Sequence, residues 1–180
     1  MKDFIQQAIR TESLTFNVEN NRLLHAIMGL STEISELIEG YVENKGNKNT
    51  LEEIGDMLWY MGLSYSVLNI TFEESKIYKI EDSDYVVPQN VFNKLVILSG
   101  NLLDIQKKSI FYGRTLDTDA IIKEFKAIEK LLTSFVNSNF KTSISELMKM
   151  NIEKLQKRYP HKFEDVLKRD VEKELSHIKV

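Results

Sequence analysis

The sequence predicts an all-α protein folded as a helical bundle, and three observations carry that expectation. Apolar residues recur in alternating steps of four and three at Leu23, Ile27, Leu30, Ile34, Leu37 and Tyr41, and again at Leu51, Ile54, Leu58, Met61, Tyr65 and Leu68, which is the period of one face of an amphipathic helix. Two prolines and seven glycines in 180 residues leave few places to break such helices. The polar stretch Asn44-Lys45-Gly46-Asn47-Lys48-Asn49 between the two runs is turn-forming, so they should fold back as an antiparallel hairpin.

The remaining elements follow in order. Glu73 to Gln89 mixes charges and scattered aromatics and reads as a linker, and Pro88 marks a restart. Phe92, Leu95, Val96, Leu98, Leu102 and Ile105 predict a helix running to Lys107-Lys108, with Tyr112-Gly113 as its stop. Ile121, Ile122, Phe125, Ile128, Leu131, Leu132 and Phe135 predict its partner. Ser143-Ile144-Ser145-Glu146 fits a capping box for a helix that must end at Tyr159, because Pro160 cannot continue it. A last amphipathic helix is expected from Phe163 to Ile178. At 42% hydrophobic the chain supports one core. The expected organisation is therefore a single domain over 1–180, with hairpin one at about 20–72, hairpin two at about 90–140 and C-terminal helices at about 143–178.

Hairpin two reads as a worn copy of hairpin one. Leu30–Leu37 aligns with Leu98–Ile105 at an offset of 68, and Glu53-Ile54 aligns with Glu124-Phe125 at 71. In that register Glu33 becomes Asn101 and Asp56 becomes Ala127, so a degenerate repeat would have lost two acids. Two unrelated hairpins could align as well.

Charge excludes some classes of partner. Lys+Arg 24 against Asp+Glu 27 gives no reason to expect a nucleic-acid or anionic-membrane coat. No run approaches the roughly 18 apolar residues of a membrane span. The absence of cysteine removes disulfides and thiolate metal sites. An intracellular, cytoplasmic soluble protein is the expectation. The charge is also uneven: seven acids and two lysines lie between Glu33 and Asp56, and eight Lys/Arg against six acids lie between Asn151 and Val180. Either these are two solvated helix faces, or an acidic centre and a basic tail share a metal-bridged anion.

The chemistry is concentrated in two carboxylate pairs, Glu33/Glu36 and Glu53/Asp56, each spaced i,i+3. Three residues turn a helix by about 300° and climb about 4.5 Å, so each pair leaves one face. An antiparallel hairpin brings the pairs together. Converging carboxylates repel unless a cation sits between them, and oxygen-only donors suit Mg²⁺ or Mn²⁺ holding a phosphorylated ligand. Ala26, Gly29 and Gly40 share the row of Glu33 and Glu36, and these small residues leave room for a ligand. Trp59 and Tyr60 lie one turn from the acids, where a nucleobase could stack or where both rings could be ordinary core. His25 shares the face of Glu36 three turns away, as a substrate contact or a structural histidine. Asn151, Lys154 and Arg158 lie on one face of the Ser143–Tyr159 helix and could grip a phosphate chain. One competitor is local: Thr50-Leu51-Glu52-Glu53 is itself a capping box, which would turn Glu53 back to the Thr50 amide.

Leu24-His25-Ala26-Ile27-Met28-Gly29-Leu30-Ser31-Thr32-Glu33-Ile34-Ser35-Glu36-Leu37, followed by Leu51-Glu52-Glu53-Ile54-Gly55-Asp56-Met57-Leu58-Trp59-Tyr60, resembles the ExxE and ExxD signature of the MazG-like all-α nucleoside-triphosphate pyrophosphohydrolases. Asn151 to Pro160 is similar to that family's phosphate-binding helix. Lys107 to Arg114 is similar to another family segment, although in many members it lies between the two acidic motifs. The resemblance implies hydrolysis between the α- and β-phosphates of a (deoxy)nucleoside triphosphate to a monophosphate and pyrophosphate, in nucleotide-pool control or house-cleaning. It implies Glu33, Glu36, Glu53 and Asp56 as catalytic Mg²⁺ ligands, with Mn²⁺ as a substitute. It also implies Lys154, Arg158 and Tyr159, with Asn151 and Lys107 or Lys108, on the pyrophosphate end, and a homodimer. One departure stands out. Several relatives carry a further glutamate directly before ExxE that orients or deprotonates water, and Thr32 stands there. The rival expectation is a non-catalytic helical module that keeps the scaffold for dimerisation or nucleotide binding.

Overall fold

Leu23, Ile27, Leu30, Ile34 and Leu37 are all buried along one side of α2 (Arg22–Val42), as their spacing predicts. Ile54, Leu58, Met61 and Tyr65 are buried on α3 (Asn47–Leu68), which runs back along α2. The computed structural model describes residues 1–12, 22–73 and 86–159. Its other helices are α1 (Lys2–Arg10), α4 (Pro88–Tyr112), α5 (Thr118–Asn139) and α6 (Ile144–Arg158). Among the described residues there is no strand, and no helix is long and apolar enough to cross a membrane. The all-α bundle is therefore as expected, while the helix expected at Phe163–Ile178 lies outside the described residues.

The two hairpins form one core. α4 lies against α2 and α5, with Phe92 meeting Tyr41 and Phe135 edge-on at 5.0 and 6.0 Å. α3 and α5 each have 22 residues, and both their starts and their ends are 71 residues apart, matching the register read from sequence. A buried polar knot ties them: Tyr65 donates to Glu129 at 2.7 Å, and Lys126 pairs with the same carboxylate at 2.9 Å. Because every charge in the knot has a partner, Glu129 is accommodated at 7% exposure.

Local signals explain most boundaries. Pro88 opens α4 at a position that needs no N–H donor, and Gly113 closes it in the left-handed region at φ 64°. Ser143 caps α6 by accepting from the Glu146 N–H, but the Glu146 carboxylate takes the Thr142 hydroxyl and so makes half of the expected box. The box expected at Thr50 is absent. Gly46, at φ 84°, turns the chain early enough that α3 starts at Asn47, and Thr50 lies within the helix. Glu53 is thereby released from capping. The α4 seam also differs from expectation, since Val91, Phe92, Leu95 and Leu102 are buried whereas Val96 is 51% exposed.

The sequence pattern left α1 unassigned: its apolar residues are only Phe4, Ile5, Ala8 and Ile9, of which the first three are buried. It is held by α3: Phe4 and Ala8 pack over Gly62, and the Trp59 indole donates to the Ala8 carbonyl and the Thr11 hydroxyl at 3.1 and 3.0 Å. Glu12 then clamps Arg22 at the start of α2.

Gly29 is one of two positions on α2, with Gly40, where a side chain of α3 occupies the space a Cβ would take. A methyl group there would lie 2.0 Å from the Tyr60 ring, which is bounded by Trp59 at 4.8 Å and His25 at 5.7 Å. Gly29→Ala is expected to destabilise the fold by about 2–3 kcal/mol, because the methyl would displace the ring from its place against Trp59 and His25. A urea midpoint unchanged from wild type would refute this packing.

Candidate functional site

The hairpin brings three of the four expected acids together. Glu33 from α2 and Glu53 and Asp56 from α3 each present a carboxylate oxygen, and these oxygens lie within 4.8 Å of one another. It is the only such acidic group among the described residues. Glu36 is exposed beside the trio and outside it, although its charge is felt by Glu33, Glu53 and Tyr60.

α6 supplies the opposite charge. Lys154 reaches both oxygens of Asp56 at 2.6 Å and Glu52 at 3.5 Å, and Asn151 donates to Asp56 at 2.6 Å. Asn151 is 4% exposed, and Gly55 across from it leaves ordinary van der Waals clearance. Beyond Lys154 a cleft of about 670 Å³ opens between α3 and α6, lined by Lys48, Lys157 and Arg158 together with Leu51, Leu147 and Met150. Sequence reasoning passed over Lys48 and Lys157. The signal available for Lys157 was its place between Lys154 and Arg158 on one helical turn.

Electrostatics mark the trio as under strain. Burial, followed by the charges of Asp56, Glu36 and Glu53, pushes the Glu33 carboxyl up to about 8, with Lys154 acting against the shift. Burial also raises Glu53, opposed by a hydrogen bond from Asn49 and reinforced by Asp56, Glu36 and Glu52. Burial, followed by the charges of Glu33, Asp56 and Glu36, pushes the Tyr60 hydroxyl up to about 12. Close to neutral pH, Glu33 therefore holds its proton in the protein alone.

The donor set fits a hard divalent cation. All three groups are carboxylate oxygens, as Mg²⁺ and Mn²⁺ favour.

Other expected contacts fall elsewhere. The small residues of α2 do not leave room for a ligand: Tyr60 fills the space over Gly29 and Asn49 fills that over Gly40. Tyr60 packs, while Trp59 has its N–H committed to α1. His25 is partly buried against the Tyr60 edge, and burial lowers its pKa against the pull of Glu12. Lys107 and Lys108 pair with Asp104 on their own helix at 2.6 and 2.5 Å. Together they hold that carboxyl down at about 2. Arg158 is exposed, its guanidinium 5.5 Å from the Tyr159 ring, and the Tyr159 carbonyl accepts from Arg10. Thr32 returns its hydroxyl to the Gly29 carbonyl at 2.8 Å.

Compared with known proteins, the chain matches no family model, no curated protein and no solved structure.

Proposed function

We propose that this chain is a Mg²⁺-dependent (deoxy)nucleoside-triphosphate pyrophosphohydrolase, of the MazG-like kind its acidic motifs resemble. The observation that carries the reading is the meeting of Glu33, Glu53 and Asp56 from two helices, with Lys154 and Asn151 of a third on the same Asp56 carboxylate. Glu33, Glu53 and Asp56 would hold the divalent ion. When bound, Mg²⁺ or Mn²⁺ supplies Lewis-acid stabilisation of phosphate charge and a lowered pKa for the attacking water.

The chain's own residues divide the remaining work. Lys154, Lys157 and Arg158, with Lys48 across the cleft, neutralise the leaving pyrophosphate. Lys154, now on Asp56, would turn to the phosphate when the carboxylates hold an ion. Thr32 is no base, and its hydroxyl is turned into its own helix, so a carboxylate elsewhere in the site takes the role of the missing glutamate. Glu36, exposed next to the trio, is the acid left to take that proton. Leu51, Leu147 and Met150 offer the nucleoside an apolar wall, and their lack of hydrogen-bonding groups favours tolerance of the base. A homodimer and a cytoplasmic location go with this reading.

The test is product analysis with a panel of (d)NTPs and Mg²⁺, with and without EDTA. Monophosphate and pyrophosphate in equal amounts, lost on chelation, are expected. Release of orthophosphate would mean that a different bond is broken. Nucleotide binding without turnover would instead favour a non-catalytic module on the same scaffold.

A further inference from the structure

We propose that Asn49 is a positioning residue that aims Glu53 at the metal, seated in a notch made by Gly40; this rests on the proposed function. Asn49 lies in the first turn of α3, four residues before Glu53, and its Nδ2 donates to Glu53 Oε1 at 2.7 Å. The early start of α3 makes this contact possible, because Glu53 no longer caps the helix.

The amide orientation is set by the partner. A carboxylate only accepts, so Nδ2 must face Glu53 and Oδ1 must face away. Oδ1 is consequently buried, with no hydrogen-bond partner among the described residues. A buried acceptor left in that condition is unfavourable by itself, so the contact with Glu53 must compensate for it. Gly40 supplies the space: a Cβ there would lie 1.9 Å from Oδ1. α2 therefore fixes the Asn49 side chain, and Asn49 in turn fixes a carboxylate of α3. A hydrogen-bonded carboxylate is held in one rotamer, with its other oxygen available to the ion.

Two substitutions reach the same contact from opposite sides. Asn49→Ala removes the donor. Gly40→Ala adds a methyl that expels the flexible end of Asn49, while alanine suits a helix better than glycine. Calorimetric titration of the full-length protein with Mn²⁺ alone should show each variant weakened about 10–100-fold. The double variant should be no weaker than either single one, because both remove one contact. Melting temperatures should stay within about 3 °C of wild type, which separates positioning from general support of the fold.

Asn49→Ala that binds Mn²⁺ as tightly as wild type would overturn this inference and leave the proposed function standing. Additive losses in the double variant would also overturn it, since Gly40 would then act independently of Asn49. A wild-type protein with no Mn²⁺ binding would remove both. If Asn49→Ala fails to fold, Gly40→Ala decides by the same titration.

Discussion

Asp56→Asn should lower Mg²⁺-dependent pyrophosphate release by at least about 10³-fold while leaving the protein folded. Asp56 is the junction of the site, since it joins the acidic trio and receives both Asn151 and Lys154. The amide keeps the shape and one oxygen but loses the charge that the cation needs. The stability change should be small, for two opposing reasons. Lys154 loses its nearest carboxylate and, among the described residues, keeps an ion pair with Glu52 at 3.5 Å that is open to solvent. Glu33 meanwhile loses the largest of the charges acting against its ionisation. A net change within about 1 kcal/mol is expected. Steady-state pyrophosphate assays alongside thermal melts test both halves. Retention of more than a tenth of wild-type turnover would remove Asp56 from the reaction.

The second large effect is a dependence of stability on pH that Mg²⁺ abolishes. Glu33 is raised from 4.5 to about 8 by folding, so between those values the folded protein binds more protons than the unfolded chain. Stability therefore falls as pH rises through this window and levels off above about 8. Glu53 is raised as well and acts in the same direction. His25 is lowered, and a lowered histidine makes stability rise with pH up to its unfolded value of 6.5. The clean interval is thus pH 6.5 to 8.5. Because Glu33 is only partly buried, the loss across this interval should be about 1 kcal/mol, roughly half of what the undiscounted shift would give there. Melts in EDTA should show the decline, and saturating Mg²⁺ should remove it by taking the place of the proton. Glu33→Gln should flatten the EDTA curve and raise its alkaline end while abolishing turnover, a trade of function for stability. A metal-free melting temperature that is flat or rises across the interval would contradict the crowding of these acids.

The bundle and its acids were legible because both depend on helical periodicity. The four-three steps of α2 and α3 put the core on one side, and the i,i+3 acids then had to share the neighbouring face. What could not be read depended on contacts between distant segments. α1 has too few apolar residues to announce itself, and its place is set by Trp59, 48 residues from Thr11. The glycines of α2 looked like space for a ligand, but Tyr60 and Asn49 of the facing helix occupy it. Thr50-x-x-Glu53 fitted a cap, yet a positive φ at Gly46 moved the helix start one turn earlier and gave Glu53 to Asn49. Lys107 and Lys108 were expected at the substrate and instead engage Asp104, a local i,i+3 and i,i+4 option open to any helix.

The Lys154 ammonium resting on Asp56 has one more consequence. Domains whose structure depends on a captured ion stay unfolded until it arrives. Here the polypeptide carries its own stand-in cation, so under the proposed function assembly and loading would be separate events. A ribosome-fresh chain would then mature in a magnesium-poor setting and wait, already shaped, for the ion to displace a side chain.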